Sequence, residues 1–431
     1  LQEEITRPGS TTESVIEKTD IGGPTMLRSA AKGQRIVICD PVDRGRVLLA
    51  LKYGGSVSNE LRTELIAKAE GIVADYCLTS ARFHSAGKID GMVGTQVVTC
   101  KYGENPAHSA ELFSTGSDNP LALHMFKQVA GAAPSYINLT DIDRARRTIL
   151  QIAVTFLANT GKVPCIAMVV KHGNACGVGV ADTTEEAMEK MIKGDPMAMF
   201  GGVVVVNFEL DEQRANVLRT FGMPEGKRRI LDGVAASFIT SEARGVLDRK
   251  ADKCRMWINS ALATLSLDYL ERVQYRSVCG GFLRQTGEPF ILNLKDERLN
   301  RLAAGMVTEA NERDLLLAFA IGSTSVSNTI TLVRYGMLIG NAVGQHARVR
   351  AAKLALMIAS ESGHDPAGAT AYSDSFFPEP DGFEVLANAG LSLIFASSGS
   401  IKDALVREAA AKYRAGFYTL PDAVCRGFFG H

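Results

Sequence analysis

The chain has 431 residues, of which 47 are Lys or Arg and 47 are Asp or Glu, so its formal net charge is zero. This balance gives no field that would favour nucleic acid or an anionic membrane as the main partner. Apolar residues make up 46% of the chain, as in a globular protein, and no apolar run approaches the ~20 residues that span a bilayer.

The eight cysteines are scattered and form no CxxC pair, which argues against a disulfide framework and for a reducing compartment. Nothing at the start of the chain resembles a signal peptide. The first residue is Leu rather than Met, which is consistent with processed or missing upstream sequence. We therefore expect a cytoplasmic protein of about two to four domains.

Residues 1–93 are expected to form only part of a domain. A short buried strand is predicted from Arg35 to Pro41, and helices are predicted at 42–51 and 59–81. One strand and two or three helices cannot close a core by themselves. A second segment is expected from 94 to 300 and a third from 301 to 431.

The second segment alternates strands and helices. Thr140 is predicted to cap a long helix that ends near Asn159, because Asp141 and Asp143 follow it in the first turn. The other predicted elements are strands at 96–101, 165–170 and 203–206 and a helix at 183–193.

The stretch from Lys171 to Gly177 follows the apolar run 165–170, so it is predicted as a polar loop after a buried strand. Ligands tend to bind outside the carboxyl ends of strands in α/β sheets. Lys171 and His172 could supply a fixed charge and a proton acceptor there. The alternative is a solvated Lys and a His bonded to backbone.

The third segment repeats the alternation, which predicts a layered α/β architecture. Its predicted elements are strands at 329–335 and 391–396 and helices at 344–360 and 401–413. The turn at 397–400 offers hydroxyls and N–H groups to an anion, or is a plain helix cap. Phe376 and Phe377 are either core residues or a stacking platform for a flat heterocycle.

Zinc is not expected. Zinc deaminases need H-x-E together with P-C-x-x-C to hold the metal and move protons. The pair Pro164-Cys165 is followed by Met168 where the second cysteine would stand, and the chain has no H-x-E. No P-loop or GxGxxG is present either.

Five motifs occur in one order along the chain. They are Lys101-Tyr-Gly-Glu-Asn-Pro106, Lys171-His-Gly-Asn-Ala-Cys-Gly177, Ser327-Asn328 with Gly344-Gln345 and Arg348, Ser373-Asp-Ser-Phe-Phe-Pro378, and Ser398-Gly-Ser400. Together they resemble the transformylase part of the AICAR transformylase and IMP cyclohydrolase family. Asp20 to Lys32 resembles the last third of the cyclohydrolase active-site sequence, whose first hundred or so residues have no counterpart here.

The resemblance implies two cytidine-deaminase-like three-layer α/β/α subdomains, preceded by the C-terminal part of a methylglyoxal-synthase-like domain. It implies formyl transfer from 10-formyltetrahydrofolate, a co-substrate, to AICAR. It also implies a homodimer with shared active sites, and possible completion of the first domain by a separate chain. Cyclohydrolase activity is not expected from this chain alone.

The resemblance assigns roles to individual residues. His172 matches the base, Lys171 the group that protonates the leaving nitrogen, and Asn328 the residue beside the formyl group. Matches to substrate-binding residues are Lys101, Tyr102, Gly103, Asn138, Asp232, Phe376, Asp381 and Arg426. Asp20 and Lys32 match catalytic residues of the cyclohydrolase.

Several positions depart from the family pattern, namely Ala107-His108, Ala175, Glu379-Pro380 and the stretch from Arg426 to His431, which is one residue longer. These changes leave two alternatives to AICAR formyl transfer. One is transfer to a related aminoimidazole, and the other is a weakly active subunit that completes a separately encoded cyclohydrolase.

Overall fold

The computed structural model describes residues 1–303 and 307–427, which divide into two compact units. The first unit comprises residues 1–99 and 111–117, and the second comprises residues 100–110 and the chain from 118 onward. The second unit is built on a large mixed sheet, so the predicted α/β class is confirmed. The three predicted domain boundaries stay a prediction.

The first unit is mainly helical. Its elements are α1 (Gln2–Thr6), α2 (Thr12–Glu17), α3 (Gly22–Lys32), α4 (Arg44–Gly54), α5 (Asn59–His84), β1 (Thr95–Thr99) and β2 (Glu111–Ser114). Leu65 and Ala69 of α5 are buried in a small core with Val37 and Val47. The strand predicted at 35–41 is wrong, since residues 35–39 belong to no strand. A strand needs a neighbour for its backbone hydrogen bonds, and β1 and β2 pair with each other.

The second unit begins with a run that we call the first half. Its elements are β3 (Lys127–Ala130), α6 (Tyr136–Thr160), β4 (Cys165–Lys171), β5 (Asn174–Ala181), α7 (Thr184–Gly194), β6 (Val203–Val206), β7 (Glu209–Leu210), α8 (Glu212–Thr220), β8 (Gly233–Ala236), β9 (Phe238–Ile239), α9 (Ser241–Leu247), β10 (Arg255–Ile258), β11 (Val273–Val278) and β12 (Gly281–Thr286).

The remaining described residues form the second half. Its elements are β13 (Asn300–Ala303), α10 (Glu309–Gly322), β14 (Ile330–Arg334), β15 (Met337–Ala342), α11 (Arg348–Glu361), β16 (Thr370–Ser373), α12 (Pro380–Asn388), β17 (Leu393–Ser398), α13 (Asp403–Tyr413), β18 (Gly416–Pro421) and α14 (Asp422–Cys425). Most predicted strands and helices of the second unit are present, within a few residues of their expected bounds.

The two halves share one sheet whose strand order is β13-β18-β17-β16-β14-β15-β5-β4-β6-β8-β10-β3. Counted inward from either edge, the strands of the two halves follow the same order relative to their order along the chain. Each half has an antiparallel hairpin, β4–β5 or β14–β15, then an antiparallel neighbour, two parallel pairings and an antiparallel edge strand. The halves meet where β15 pairs antiparallel with β5.

Buried apolar strands anchor each half. All four valines of β6 are at most 1% exposed, and the residues at β17 positions 393–396 are equally buried. Helices α6 and α10 supply further fully buried side chains, among them Ile149 and Phe319. Burial of each such side chain contributes about 1.5–3 kcal/mol, so the sheet gives the loops at its edges a rigid base.

Two local predictions were wrong. The cap of α6 is Ser135 rather than Thr140, because the Ser135 hydroxyl accepts from Asn138 N–H at 3.2 Å and the Asn138 side chain accepts from Ser135 N–H at 3.0 Å. This reciprocal box satisfies two donors, which Thr140 cannot do from inside the helix. Helix α11 begins at Arg348, and β15 occupies residues that the sequence left unassigned.

The expected loop from Lys171 to Gly177 is instead a tight hairpin. Asn174 opposes Lys171 in the ladder, so only His172 and Gly173 form the turn and the rest of the stretch belongs to β5. β4 runs antiparallel to both of its neighbours, β5 and β6, so His172 does not lie at the carboxyl edge of parallel strands. Within the described residues, no helix is both long and apolar enough to cross a membrane.

Candidate active site at one edge of the sheet

His172 is exposed on the turn between β4 and β5. Its φ is 52° and that of Gly173 is 72°, which are the left-handed values that a two-residue hairpin turn of this type requires. A left-handed conformation is uncommon for histidine, whose side chain is placed in solvent at the end of a rigid hairpin. The turn is closed by Asn174, whose side chain donates to the His172 carbonyl at 3.1 Å.

Helix α6 holds this turn from below. Asp141 accepts from Gly173 N–H at 2.7 Å, and Arg144 donates to the Gly173 carbonyl at 3.1 Å. Asp141 is 6% exposed. Burial raises the pKa of its carboxyl group, while the Gly173 N–H and the nearby His172 charge oppose that rise. The two side chains fix the peptide units on both sides of Gly173.

Lys171 and Asp232 lie beside the same turn. Lys171 Nζ donates to the Phe200 carbonyl at 2.9 Å, and Asp232 is paired with Arg249 at 2.9 Å. The charge of Asp232 contributes to the raised pKa of the Asp141 carboxyl, so these two acids are near neighbours. The structure therefore brings Lys171, His172 and Asp232 together.

The residues matched to nucleotide binding gather at the start of α6. Lys101 N–H donates to the Pro134 carbonyl at 2.7 Å, and the Tyr102 carbonyl accepts from Tyr136 N–H at 3.0 Å. Gly103 is buried, and a side chain there would lie 3.0 Å from His108 Cβ. Asn138 is in the first turn of the helix and Asp141 in the next, so α6 joins this group to His172.

Asn328 is fixed at the start of β14 in the second half. Its side-chain nitrogen donates to the Gln345 carbonyl at 2.8 Å, and its oxygen accepts from Arg348 at 2.7 Å. Arg348 also donates to Ser373 at 2.8 Å and pairs with buried Asp374. The amide has a second N–H, which donates to none of the described residues and can contact a ligand.

Asn328 and His172 lie at the same edge of the sheet. β14 and β15 are antiparallel, as are β15 and β5, so the start of β14 lies on the side of the β4–β5 turn. Two bonds join these segments, from Val326 N–H to Asn174 at 3.4 Å and from Asn341 to the Ala175 carbonyl at 3.0 Å. Three strand spacings separate β4 from β14, which is roughly 14 Å.

The motif at 373–378 contributes one accessible aromatic residue rather than two. Phe376 is partly exposed, whereas Phe377 is 2% exposed and packs edge-to-face on Phe383 at 5.9 Å. Of the two alternatives, the structure therefore supports the core position for Phe377. Phe377 belongs to a buried apolar cluster, where its ring gains more free energy than it would in an exposed loop.

Asp381 and Arg426 lie near this motif. Asp381 is exposed at the start of α12, where it accepts from Gly382 N–H at 2.7 Å. Arg426 pairs with Asp422, which also accepts from Ser375 Oγ at 3.0 Å. The rest of the stretch that departs from the family pattern, residues 428–431, lies outside the described residues.

The turn at 397–400 is a cap rather than an open anion site. Asp403 accepts from Gly399 N–H at 2.8 Å and from Ser400 N–H at 3.2 Å, so a carboxylate of the chain already occupies these donors. Burial raises the pKa of the Cys176 thiol to about 12, which disfavours its thiolate form. Gly177 is structural, since a side chain there would meet the Met191 carbonyl at 2.6 Å.

The two cyclohydrolase matches are separated in the first unit. Asp20 accepts from Gly23 N–H at 3.0 Å at the start of α3, and Lys32 is the last residue of that helix. Twelve residues at helical rise place them about 18 Å apart. The structure does not bring them together. Among residues 1–303 and 307–427, no group of three or more His, Cys, Asp or Glu is arranged to hold a metal ion.

Sequence reasoning missed Asp141, Arg144 and Asn341 as parts of this edge. Asp141 was noted only as an acid that favours a helix start. The signal was the spacing of Asn138, Asp141 and Arg144, which repeats every three residues and places all three on one helix face. Asn341 had no signal, because β15 was not predicted.

Comparison with known proteins identifies the family. The family model described as AICARFT/IMPCHase bienzyme matches residues 30–358. The bifunctional purine biosynthesis protein PurH of Anoxybacillus flavithermus is 34% identical over 414 residues, covering 94% of this chain and 75% of that protein. The proteins of the same name from Bacillus cereus and Bacillus mycoides are 33% identical over 411 residues, with the same coverage. The chain therefore belongs to the AICARFT/IMPCHase bienzyme family of purine biosynthesis.

Proposed function

We propose that this chain transfers a formyl group from 10-formyltetrahydrofolate, a co-substrate, to the 5-amino group of AICAR. The observation that carries the proposal is the single sheet edge that presents Lys171, His172 and Asn328. The start of α6 lies at the same edge, where Lys101 and the helix N-terminus suit a phosphate. Family membership in purine biosynthesis supports the choice of substrates.

The first step joins the amine of AICAR to the formyl carbon. That amine is conjugated to an imidazole carboxamide and is a poor nucleophile, so His172 accepts its proton as the bond forms. The formyl oxygen becomes negatively charged, and the second N–H of the Asn328 amide stabilises it. Arg348 and the Gln345 carbonyl hold that amide in place.

The second step releases the folate. The electron pair on the oxyanion reforms the carbonyl, and the bond from the formyl carbon to N10 of the folate breaks. Lys171 donates a proton to N10, so the products are formylated AICAR and tetrahydrofolate. Tyr102, Gly103, Asn138 and Asp232 would contact the nucleotide, and Phe376 and Asp381 the folate side. Arg426 would contact phosphate once released from Asp422.

The active site is proposed to be shared between two copies of the chain. His172 must lie within hydrogen-bond distance of the reacting amine and Asn328 within hydrogen-bond distance of the formyl oxygen, about 3 Å in each case. A homodimer that brings Asn328 of the second copy to His172 of the first, as the family resemblance implies, would place both groups around one substrate. Mixing the inactive variants His172→Ala and Asn328→Ala tests this arrangement.

After random subunit exchange, about half of all dimers contain one chain of each variant. If the sites are shared, each of these heterodimers retains one intact site out of two, so the mixture should show about a quarter of wild-type activity. No restoration after subunit exchange, checked by sedimentation to confirm a dimer, would place each complete site within one chain.

The finer architecture follows the same proposal. The two halves of the sheet would be cytidine-deaminase-like three-layer subdomains, and the first unit the C-terminal part of a methylglyoxal-synthase-like domain. Ile36 and Ile38 are 41% and 39% exposed while Val37 is 5% exposed, which is the alternation of a strand without its sheet. A further polypeptide segment, in the same chain or another, would pair with it in the cytoplasm. Its copurification would support the alternative role as a cyclohydrolase subunit.

The test of the activity is a panel of acceptors. Purified protein with 10-formyltetrahydrofolate is given AICAR or related aminoimidazoles, and the formylated product is identified by mass. The proposal expects AICAR to have the highest kcat/KM. A higher value for another aminoimidazole would select the alternative that the substitutions near Asp381 suggest. No product with any acceptor would overturn formyl transfer.

A further inference from the structure

The turn that carries His172 has a twin in the second half. Tyr335 and Gly336 join β14 to β15 with φ values of 55° and 71°, close to the 52° and 72° of His172 and Gly173. A buried acid from the preceding helix holds each turn. Asp314 of α10 accepts from Tyr335 N–H at 2.7 Å and Gly336 N–H at 2.6 Å.

The two acids occupy equivalent positions. Each helix starts with a capping box, Ser135 with Asn138 in α6 and Thr308 with Asn311 in α10. Each acid follows its box asparagine by three residues, one helical turn later. The acid under the turn is therefore a feature of the fold that exists without a histidine.

The two turns differ in how many carboxylate oxygens of the buried acid accept backbone N–H groups. Both oxygens of Asp314 accept turn N–H groups. Within the described residues, Asp141 accepts one, from Gly173, through Oδ1. In the first half no described residue donates to Oδ2, and the carboxylate is close enough to His172 for their charges to interact.

We propose that Asp141 is a positioning residue that fixes the His172 turn through Oδ1 and stabilises the protonated imidazole with its remaining charge. The inference rests on the proposed function of His172 as the base. The charged groups that face the turn are Asp141 and Arg144 of α6, Lys171 at the end of β4, and Asp232 with its partner Arg249.

A base that gains a proton in the transition state works better beside a negative charge. Asp141 supplies that charge without leaving its structural bond. Asp232 supplies less of it, because Arg249 neutralises it at 2.9 Å. The same logic explains why the twin turn needs no spare oxygen, since Tyr335 carries no charge to stabilise.

The test replaces each acid by its isosteric amide. Asp141→Asn keeps an oxygen for Gly173 N–H and removes the charge. Asp314→Asn removes the charge under Tyr335 and also one of the two oxygens that accept turn N–H groups, so it is the harsher change to its turn. We expect Asp141→Asn to lower kcat for formyl transfer about tenfold, with KM for AICAR within about twofold. The acid limb of its kcat profile should move to lower pH, because the protonated imidazole loses its counter-charge. Asp314→Asn should leave kcat and the acid limb of its pH profile unchanged.

An unmoved acid limb in Asp141→Asn, or equal losses of kcat in the two variants, would overturn the inference by reducing Asp141 to a structural role. Following the ring-proton NMR shift of His172 against pH gives the same readout without turnover. If the wild type transfers no formyl group, the proposed function fails. A His172 titration that moves in Asp141→Asn and not in Asp314→Asn would still support the positioning role.

Discussion

The two hairpin turns of the sheet have the same backbone and different side chains. Both have two left-handed residues over a buried acid, yet one presents Lys171-His172 and the other Arg334-Tyr335. Arg334 donates to the Asp365 carbonyl at 2.8 Å much as Lys171 donates to that of Phe200 at 2.9 Å. The scaffold is thus duplicated, and the histidine, which can exchange a proton near neutral pH, is not. Chemistry in this fold is set by what a turn displays, and not by the turn itself.

The capping asparagines of the two halves also differ. Asn311 uses its side-chain nitrogen to donate to the Gly368 carbonyl at 3.0 Å. The corresponding nitrogen of Asn138 donates to no atom of the described residues. The side-chain nitrogen of Asn311 is thus used in a hydrogen bond within the fold. That of Asn138 can donate to a ligand.

The largest expected difference is between the turn residues themselves. His172→Ala should lower kcat by about 10²–10⁴, because a positioned acid–base group is lost. Tyr335→Ala removes an exposed side chain from the equivalent turn and should leave kcat unchanged. Steady-state formyl transfer measures both. A near-wild-type rate in His172→Ala would exclude it as the base.

The buried acids should make stability depend on pH. Burial raises the pKa of Asp314 to about 6. The folded chain then binds a proton more tightly than the unfolded chain, so the contribution of Asp314 to the free energy of unfolding falls as pH rises from about 4 to about 6. The drop is at most about 3 kcal/mol.

Denaturant unfolding of wild type and Asp314→Asn at several pH values measures this drop. The stability of wild type relative to the variant should decrease across that range. Asp141→Asn should show a change of the same sign, since the Asp141 carboxyl pKa is also raised. A difference that is constant with pH would contradict the account.

Two glycines at equivalent positions of the two halves should lose similar stability when replaced by alanine. Gly177 of β5 and Gly340 of β15 each lie against a helix carbonyl, of Met191 in α7 and of Ala355 in α11. Alanine at either position forces helix and sheet apart and should cost about 1–3 kcal/mol. Thermal unfolding should give similar losses. A tolerated alanine at one position alone would show that the halves are packed differently.

The smallest expected effects separate the asparagines. Asn138→Asp keeps the capping oxygen and loses the donor, so KM for AICAR should rise about tenfold with little change in thermal stability. Asn311→Asp should lower stability and leave KM unchanged. If both variants changed only stability, Asn138 would be a cap and nothing more.

The sequence allowed much of the layered fold to be predicted, because buried strands such as Val203–Val206 are continuous apolar runs between clear breaks. Prediction from the sequence failed for segments whose structure depends on the strands they pair with. The predicted strand at 35–41 has no pairing partner among the described residues. β15 is mixed in polarity because it pairs inside the sheet, where Asn341 donates to Ser325 and to the Ala175 carbonyl. Pairing of distant segments is not visible in a local pattern.

The candidate site was predictable residue by residue only through the family motifs. Those motifs gave His172 and Asn328, but the hairpin geometry and the support from Asp141 depend on a helix thirty residues away. The duplication was also hidden, since the two halves share connectivity and capping boxes rather than an evident repeat. The equivalence of the two halves is visible only in the strand order of the folded sheet.

The central claim is that the His172 edge of the sheet performs formyl transfer to AICAR. The most direct measurement is the release of tetrahydrofolate by the purified chain from 10-formyltetrahydrofolate, with and without AICAR. The account predicts release that requires AICAR and is lost in His172→Ala but kept in Tyr335→Ala. Release no faster than the protein-free background in the presence of AICAR would contradict it.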